Sequence, residues 1–121
     1  MLSFFLKSKL HHLRVTDSRL EYQGSMTLDP DFLDAAGIGQ YEKILVANLE
    51  NGERFETYAI AGARGSRVCC LNGATAHKGK VGDRVIVFTF CALEDGEVSS
   101  HKPRIVVFDG KTNEMVRPSK I

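Results

Sequence analysis

The chain has 121 residues, a hydrophobic fraction of 43% and a formal net charge of +1 from 16 basic and 15 acidic residues. This length and composition are typical of one globular domain with its own core. The balanced charge argues against nucleic acid or an anionic membrane as a partner, and no apolar run is long enough to span a bilayer.

The first part of the chain predicts strands. Residues 4–16 predict one or two strands, on which Lys7, Lys9 and His11 would share a face because side chains alternate. Composition favours a solvated strand edge over an anion site for this basic face. A turn follows, and residues 20–22 predict a short strand that leads into a Gly-Ser pair.

One helix is clearly signalled. Asp29 predicts its N-cap, Pro30 its first position and Gly37 its end. It would be about two turns long and would close one end of a sheet or barrel. Its predicted buried residues are Phe32, Leu33 and Ala36.

The rest of the chain alternates short strands with turns. Asn51-Gly52 predicts a tight hairpin and Asn72-Gly73 a second turn, whereas residues 93–100 predict a polar loop. This spacing favours a closed or nearly closed β-barrel over a sandwich. The predicted strands are residues 43–50, 53–61, 67–71, 84–90, 104–109 and 113–117.

No metal site is expected, because neither the four histidines nor Cys69, Cys70 and Cys91 show ligand spacing. On a strand, the adjacent Cys69 and Cys70 would point to opposite faces. Buried, reduced thiols in a cytoplasmic protein are the interpretation that fits them.

Ser25 is a candidate nucleophile because it follows Gly24, which has no side chain to shield its carbonyl. Attack of the hydroxyl on that carbonyl would convert the peptide bond into an ester, and elimination would leave a new N-terminus. The alternative is that Ser25 only closes a turn, as most Gly-Ser pairs do. A serine hydrolase is disfavoured, because the G-x-S-x-G frame of a nucleophile elbow is absent.

Seven stretches carry a resemblance that spans almost the whole chain. They are Lys9–His11, Glu21–Ser25, Asp31–Ile38, Asn51–Ile60, Arg64–Ser66, Asn72–His77 and Val81–Asp83. In this order and spacing they resemble the pyruvoyl-dependent aspartate 1-decarboxylases. The resemblance implies a mainly β fold, a double-psi β-barrel with one or two short helices. It also implies a homotetramer with active sites between subunits.

The resemblance further implies a single-domain precursor, residues 1–121, that cuts itself between Gly24 and Ser25 into residues 1–24 and 25–121. Ser25 would become a covalent pyruvoyl group that forms a Schiff base with L-aspartate and accepts electrons when carbon dioxide leaves. The product, β-alanine, would supply pantothenate biosynthesis. No metal is implied.

Residue roles follow from the same resemblance. Thr57 is expected to stabilise the oxyanion during self-cleavage and to contact the substrate. Tyr58 is expected to donate a proton to the carbanion. Arg54 and Lys9 are expected to bind the substrate carboxylates, since a guanidinium pairs with a planar carboxylate and a lysine adds a point charge.

A further group is expected to form a wall of the site. Asn72, together with Gly73, Ala74 and Thr75, would place the substrate and the cleavage segment. His11 is expected to stand behind these residues, without contact to the substrate.

Two features do not fit the family pattern simply. On a regular strand Arg54 and Tyr58 share one face and Thr57 the other, which requires a bulge, a strand end or a subunit boundary. Gln23 stands where a Glu is expected, and Thr75 replaces a small Ala and would narrow the site. The rate of cleavage and the need for a maturation factor therefore stay open.

Structural alternatives also stay open for these residues. Arg54 and Lys9 would otherwise form weak surface ion pairs with nearby glutamates, and Tyr58 would be an ordinary strand aromatic. For the whole protein, the alternative is an unprocessed small β-barrel that serves as a binding or scaffold domain. The enzyme would run as two chains on a denaturing gel and the scaffold as one.

Overall fold

The computed structural model of the chain describes residues 1–116. The chain is mainly β, with one short α-helix and two 3-10 helices. The strands are β1 (Leu2–Arg14), β2 (Asp17–Arg19), β3 (Met26–Leu28), β4 (Lys43–Asn48), β5 (Arg54–Ala61), β6 (Cys69–Asn72), β7 (Arg84–Glu94), β8 (Arg104–Phe108) and β9 (Met115–Val116). The helices are α1 (Pro30–Ala36) and the 3-10 helices Gly73–Lys78 and Asp95–Ser100. The last predicted strand runs to Arg117, which lies outside the described residues.

The nine strands form one sheet in the order β2-β6-β3-β5-β4-β7-β1-β8-β9. β1 and β2 are consecutive in the chain, separated only by Val15 and Thr16, yet they lie towards opposite ends of this order. The sheet must therefore curl until β2 and β6, at one end of the order, come close to the end of β1. The backbone N–H of Thr16, which lies between β1 and β2, donates a hydrogen bond to the carbonyl of Cys69 in β6 at 2.8 Å. This arrangement confirms the mainly β, double-psi barrel expectation.

β1 lies inside the sheet, because it pairs antiparallel with β7 and parallel with β8. The predicted solvated edge is therefore wrong. The register with β7 shifts between Leu6 and Ser8, so Lys7 is the extra residue of a bulge and its side chain is redirected. Lys7 Nζ lies 2.8 Å from a carboxylate oxygen of Glu42, whereas Ser8 is fully buried.

α1 begins and ends where its capping residues predict. The Asp29 side chain accepts the Asp31 N–H, Pro30 opens the helix, and Gly37 adopts a left-handed φ of 71° that ends it. The Asp29 carboxylate also accepts the N–H groups of Gly65 at 3.1 Å and Arg67 at 2.7 Å, so it joins the helix to a distant turn. Three residues of α1 enter the core, as predicted: Phe32, Leu33 and Ala36.

The segment before the Gly-Ser pair differs from its prediction. Residues 17–19 form β2 instead of a turn, and residues 20–22 form a turn instead of a strand. Polar β2 is held by its parallel pairing with β6, a long-range contact that local propensity does not reveal. Among residues 1–116, no helix has the length and apolar character needed to cross a membrane.

Candidate active site

Ser25 lies immediately before β3 and has an unusual backbone. Its φ is 95°, in a region that non-glycine residues rarely occupy, and its side chain is only 1% exposed. Such strained residues persist only where the surrounding structure holds them, and they concentrate at functional sites. A Cβ added to Gly24 would meet no atom within 4 Å, so the Gly24 carbonyl is not crowded from that side.

β6 and the 3-10 helix that follows it hold Ser25 in place. The backbone N–H of Asn72 donates to the Ser25 carbonyl at 3.1 Å, and Asn72 Nδ2 donates to Ser25 Oγ at 3.4 Å. Thr75 Oγ1 donates to the same carbonyl at 3.4 Å. The predicted wall of Asn72, Gly73 and Thr75 therefore lies against the cleavage segment, whereas the side chain of Ala74 is exposed.

Gly73 makes the closest backbone approach to the cleavage segment. Its φ is 59°, and a Cβ there would lie 2.8 Å from the Tyr22 carbonyl oxygen and 3.0 Å from the Gly24 nitrogen and Cα. Only glycine fits this conformation and this space without moving its neighbours. The turn predicted at Asn72-Gly73 thus also packs directly against the backbone of the segment that the resemblance predicts to be cut.

β5 carries Arg54, Thr57 and Tyr58 in regular alternation. Its register with β4 runs without interruption from Tyr58 to Arg54, so no bulge redirects Thr57. Met26 pairs with Ala59 across β3 and β5, and both are fully buried, so the preceding residues Ser25 and Tyr58 lie towards the opposite, outer face. The strand therefore gives Tyr58 the face of Ser25 and gives Thr57 the inner face. Within residues 1–116, neither Thr57 nor Tyr58 hydrogen-bonds to Ser25.

Arg54 and Lys9 meet over the ring of Phe88. The Arg54 guanidinium carbon lies 5.7 Å and the Lys9 ammonium nitrogen 5.8 Å from the ring centroid, within cation–π range. The acidic partners proposed as an alternative are engaged elsewhere, with Glu53 paired to Lys78 and Glu56 to Lys43. Two positive charges thus lie near one aromatic ring of the outer face, and cations of this kind bind carboxylates.

His11 lies beside this cationic group without a hydrogen-bond partner at Nδ1, which is buried. Its ring stacks on that of His12 at a centroid distance of 3.8 Å, and the strand bulges here, with His12 at a φ of 69°. Burial lowers the pKa of His11, and the neighbouring charges of His12 and Lys9 lower it further. His11 is therefore held in its neutral form.

Three residues near these groups were missed by the sequence reasoning. Thr27 and Cys70 hydrogen-bond to the Asn72 side chain, and Phe88 is half-buried beside the two cations. A period-two signal could have found the first two, because Ser25 and Thr27 are two apart on one strand, as are Cys70 and Asn72 on another. Within the described part of the chain, no cluster of three or more His, Cys, Asp or Glu residues could hold a metal.

Comparison with known proteins agrees with the resemblance. The sequence profile of a family described as Aspartate decarboxylase matches residues 1–116. A protein named aspartate 1-decarboxylase from Tolumonas auensis is 53% identical over 120 residues, which cover 99% of this chain and 94% of that protein. A protein of the same name from Syntrophomonas wolfei is 50% identical over 113 residues, which cover 93% of this chain and 96% of that protein. A third, from Exiguobacterium sibiricum, is 50% identical over 109 residues, 90% of this chain and 86% of that protein. With a family match across the described chain and relatives that share half of its residues, this chain belongs to the aspartate decarboxylase family and is a carboxy-lyase.

Proposed function

We propose that the chain is an aspartate 1-decarboxylase that makes its own catalytic group by cutting itself between Gly24 and Ser25. The observation that carries this proposal is the buried Ser25, whose φ is 95° and which hydrogen bonds from Asn72 and Thr75 hold directly after a glycine carbonyl that no side chain shields. The names of the relatives, all aspartate 1-decarboxylases, support the substrate. The products are residues 1–24 and 25–121.

The cut itself takes two steps, and a third reaction then forms the ketone. Ser25 Oγ bonds to the Gly24 carbonyl carbon, the Gly24–Ser25 amide bond breaks, and the hydroxyl proton ends on the freed Ser25 nitrogen, giving an ester. Loss of the Ser25 Cα proton then expels the Gly24 carboxylate and leaves dehydroalanine at residue 25. Its hydrolysis consumes one water and releases ammonia, leaving a ketone. The resemblance alone assigns the Thr57 hydroxyl to the oxyanion of the first step, because β5 directs this side chain to the inner face, away from its own Ser25.

The residues around Ser25 suit the pyruvoyl group that this sequence of steps would form. When present, that group supplies a ketone that condenses with the substrate amine and withdraws electrons as carbon dioxide leaves. Arg54 and Lys9 bind the carboxylates of L-aspartate, and Tyr58 delivers a proton to the substrate Cα. Gly73 and Thr75, with exposed Ala74 at the rim, bound the space in which the substrate is held. Neutral His11, behind Lys9, adds no further positive charge.

The active site is proposed to lie between subunits of a homotetramer. Arg54 and Tyr58 are four residues apart on β5, which separates their Cα atoms by about 13 Å. That span is long for one aspartate, so the cations of one chain and the Ser25 of another would complete a site together. An open groove of about 400 Å³ on the same outer face, lined by the exposed Phe4 and Phe90 with Leu45, supports a second copy as its occupant.

The setting of the enzyme follows from its proposed chemistry. Its product is β-alanine, which we assign to pantothenate biosynthesis in the cytoplasm. Gln23 is exposed at the scissile turn, where a maturation factor would have access to it.

The first experiment is the intact mass of the purified protein under denaturing conditions, with Ser25→Ala as the uncut control. Two species that split at Gly24–Ser25 are expected, the larger one lighter by ammonia than a serine-terminated fragment. The same preparation should convert L-aspartate to β-alanine and carbon dioxide. A parent chain that stays in one piece, alone and after incubation with cell extract, would contradict the proposal and favour the scaffold alternative.

A further inference from the structure

Four polar side chains lie on one face of the β3–β6 pair. Thr27 is directly opposite Cys70 in the antiparallel register. Ser25 precedes Thr27 by two residues and Asn72 follows Cys70 by two, so alternation gives all four side chains the same face. The intervening Met26 and Leu71 are fully buried in the core on the other face.

The Asn72 amide is bonded on both of its sides. Its Nδ2 donates to Thr27 Oγ1 at 2.8 Å and to Ser25 Oγ at 3.4 Å, and its Oδ1 accepts from Cys70 Sγ at 3.1 Å. A flipped amide would present its two N–H donors to sulfur, which is a weak acceptor. Because Asn72 is only 2% exposed, water cannot compensate for that loss.

The Thr27 hydroxyl is directed by the packing of its own methyl group. A Cβ at Gly62 would lie 2.7 Å from Thr27 Cγ2, so the methyl occupies space that only a glycine leaves free. Threonine is branched at Cβ, and a fixed methyl position therefore fixes the hydroxyl as well. On the other side of the Asn72 amide lies the Cys70 thiol. Burial raises the pKa of this thiol, and the negative charge of Asp17 raises it further. Cys70 keeps its proton and can donate it to Asn72.

We propose that Thr27 and Cys70 are positioning residues for self-cleavage, because together they fix the Asn72 amide with its N–H directed at Ser25 Oγ. The inference rests on the proposed function. A hydrogen bond donated to Oγ orients the nucleophile and stabilises the negative charge that develops on it as its proton leaves. Thr27 holds the amide in place from one side, and Cys70 sets its orientation from the other, because the thiol donates a hydrogen bond to the amide oxygen but accepts one only weakly.

The test compares a double variant with a conservative single variant, both made by cell-free synthesis and followed by denaturing gel and intact mass. Thr27→Val with Cys70→Ala removes both hydrogen bonds at nearly unchanged volume, and we expect at least about tenfold slower cutting. The loss should exceed the product of the two single losses, because each single variant keeps one restraint. Thr27→Ser with Cys70 unchanged keeps a hydroxyl on one side of the Asn72 amide and the thiol on the other, and its cutting should stay within about threefold of the parent.

A Val/Ala double that cuts at the parental rate would overturn the inference, and so would a Thr27→Ser variant as slow as the Val/Ala double. A structural defect would instead appear in urea unfolding of the same variants on the uncut Ser25→Ala background. Should the Val/Ala double fail to fold, the Thr27→Val single variant is compared with Thr27→Ser in the same assay, under the same two criteria.

A second measurement does not depend on cutting. In the Ser25→Ala chain, nuclear Overhauser contacts from the Asn72 side-chain amide protons are expected to the Thr27 side chain. Contacts to Cys70 instead would mean the flipped amide and would overturn the inference. A parent chain that never cuts would contradict the proposed function, whereas normal cutting with a flipped Asn72 amide would contradict only this inference.

Discussion

Replacing Gly73 with alanine should slow the cut at Gly24–Ser25 without unfolding the chain. The left-handed φ of 59° costs an alanine about 1–2 kcal/mol, which a domain of this size tolerates. The new Cβ would lie 2.8 Å from the Tyr22 carbonyl oxygen and 3.0 Å from the Gly24 nitrogen. The exposed turn that contains Tyr22 and Gly24 must therefore move by roughly half an ångström. A 1 Å misplacement of reacting groups lowers a rate about a hundredfold, so we expect cutting to be about tenfold slower.

The matched control is Gly52→Ala in the β4–β5 turn. Gly52 has a similar φ of 75°, but a Cβ there would meet nothing within 4 Å. Both variants should lose similar stability in urea unfolding, measured on the uncut Ser25→Ala background, whereas only Gly73→Ala should cut slowly in a timed denaturing-gel assay. Equal cutting rates for the two variants would refute the idea that Gly73 supports the scissile peptide.

Three other outcomes are expected. Asp29→Asn should cost about 1–3 kcal/mol of unfolding free energy, because the carboxylate accepts three backbone N–H groups. Burial raises the pKa of Asp29, but these hydrogen bonds lower it by more, so the folded pKa lies below 3.8. The parent protein therefore loses unfolding free energy from this carboxylate as the pH falls below 3.8. Urea unfolding at each pH should show no such decrease in the Asp29→Asn variant. Arg54→Lys should leave the cut intact and raise KM for L-aspartate about tenfold, because bidentate binding is lost; an unchanged KM would remove Arg54 from the substrate site. The pKa of His11 is lowered in the folded chain, so the unfolded chain binds the proton more readily and the unfolding free energy falls as the pH drops below 6.5. His11→Gln should make this fall smaller. As a control, replacing the exposed His77 with Gln should leave the dependence of unfolding free energy on pH as in the parent.

The sequence predicted elements well where the signal was local. The helix at Pro30–Ala36 carries its own cap, proline and terminal glycine, and the structure has it at those residues. A hairpin is found at Asn51-Gly52, but its turn is longer than the predicted two residues, because β4 ends at Asn48 and β5 begins at Arg54. The alternation of Cys69 and Cys70 is confirmed too, with Cys69 in the core cluster and Cys70 bonded on the other face.

Elements that depend on distant partners were not predictable in this way. β2 is three polar residues whose strand conformation comes from β6, more than fifty positions later. The central place of β1 depends on pairing with β7 and β8, and its bulge at Lys7 depends on the register of that pairing. Local propensity carries no information about either.

The site was predictable in its residue types more than in its geometry. Asn72, Gly73 and Thr75 do surround Ser25, as the resemblance implied. The contacts of Thr27 and Cys70 were invisible, because they require the β3–β6 register. The approach of Arg54 and Lys9 to one ring required the order of four strands, β5, β4, β7 and β1.

The position of β1 has a thermodynamic consequence for the mature protein. All thirteen residues of β1 belong to the shorter product of the proposed cut, yet the strand lies between β7 and β8 of the longer one. Cutting would therefore turn an internal strand into a tightly bound peptide. Unfolding would then release two molecules from each barrel, and its midpoint would depend on protein concentration more steeply than that of the uncut Ser25→Ala protein. Maturation would thus change the molecularity of folding while leaving the strand order intact.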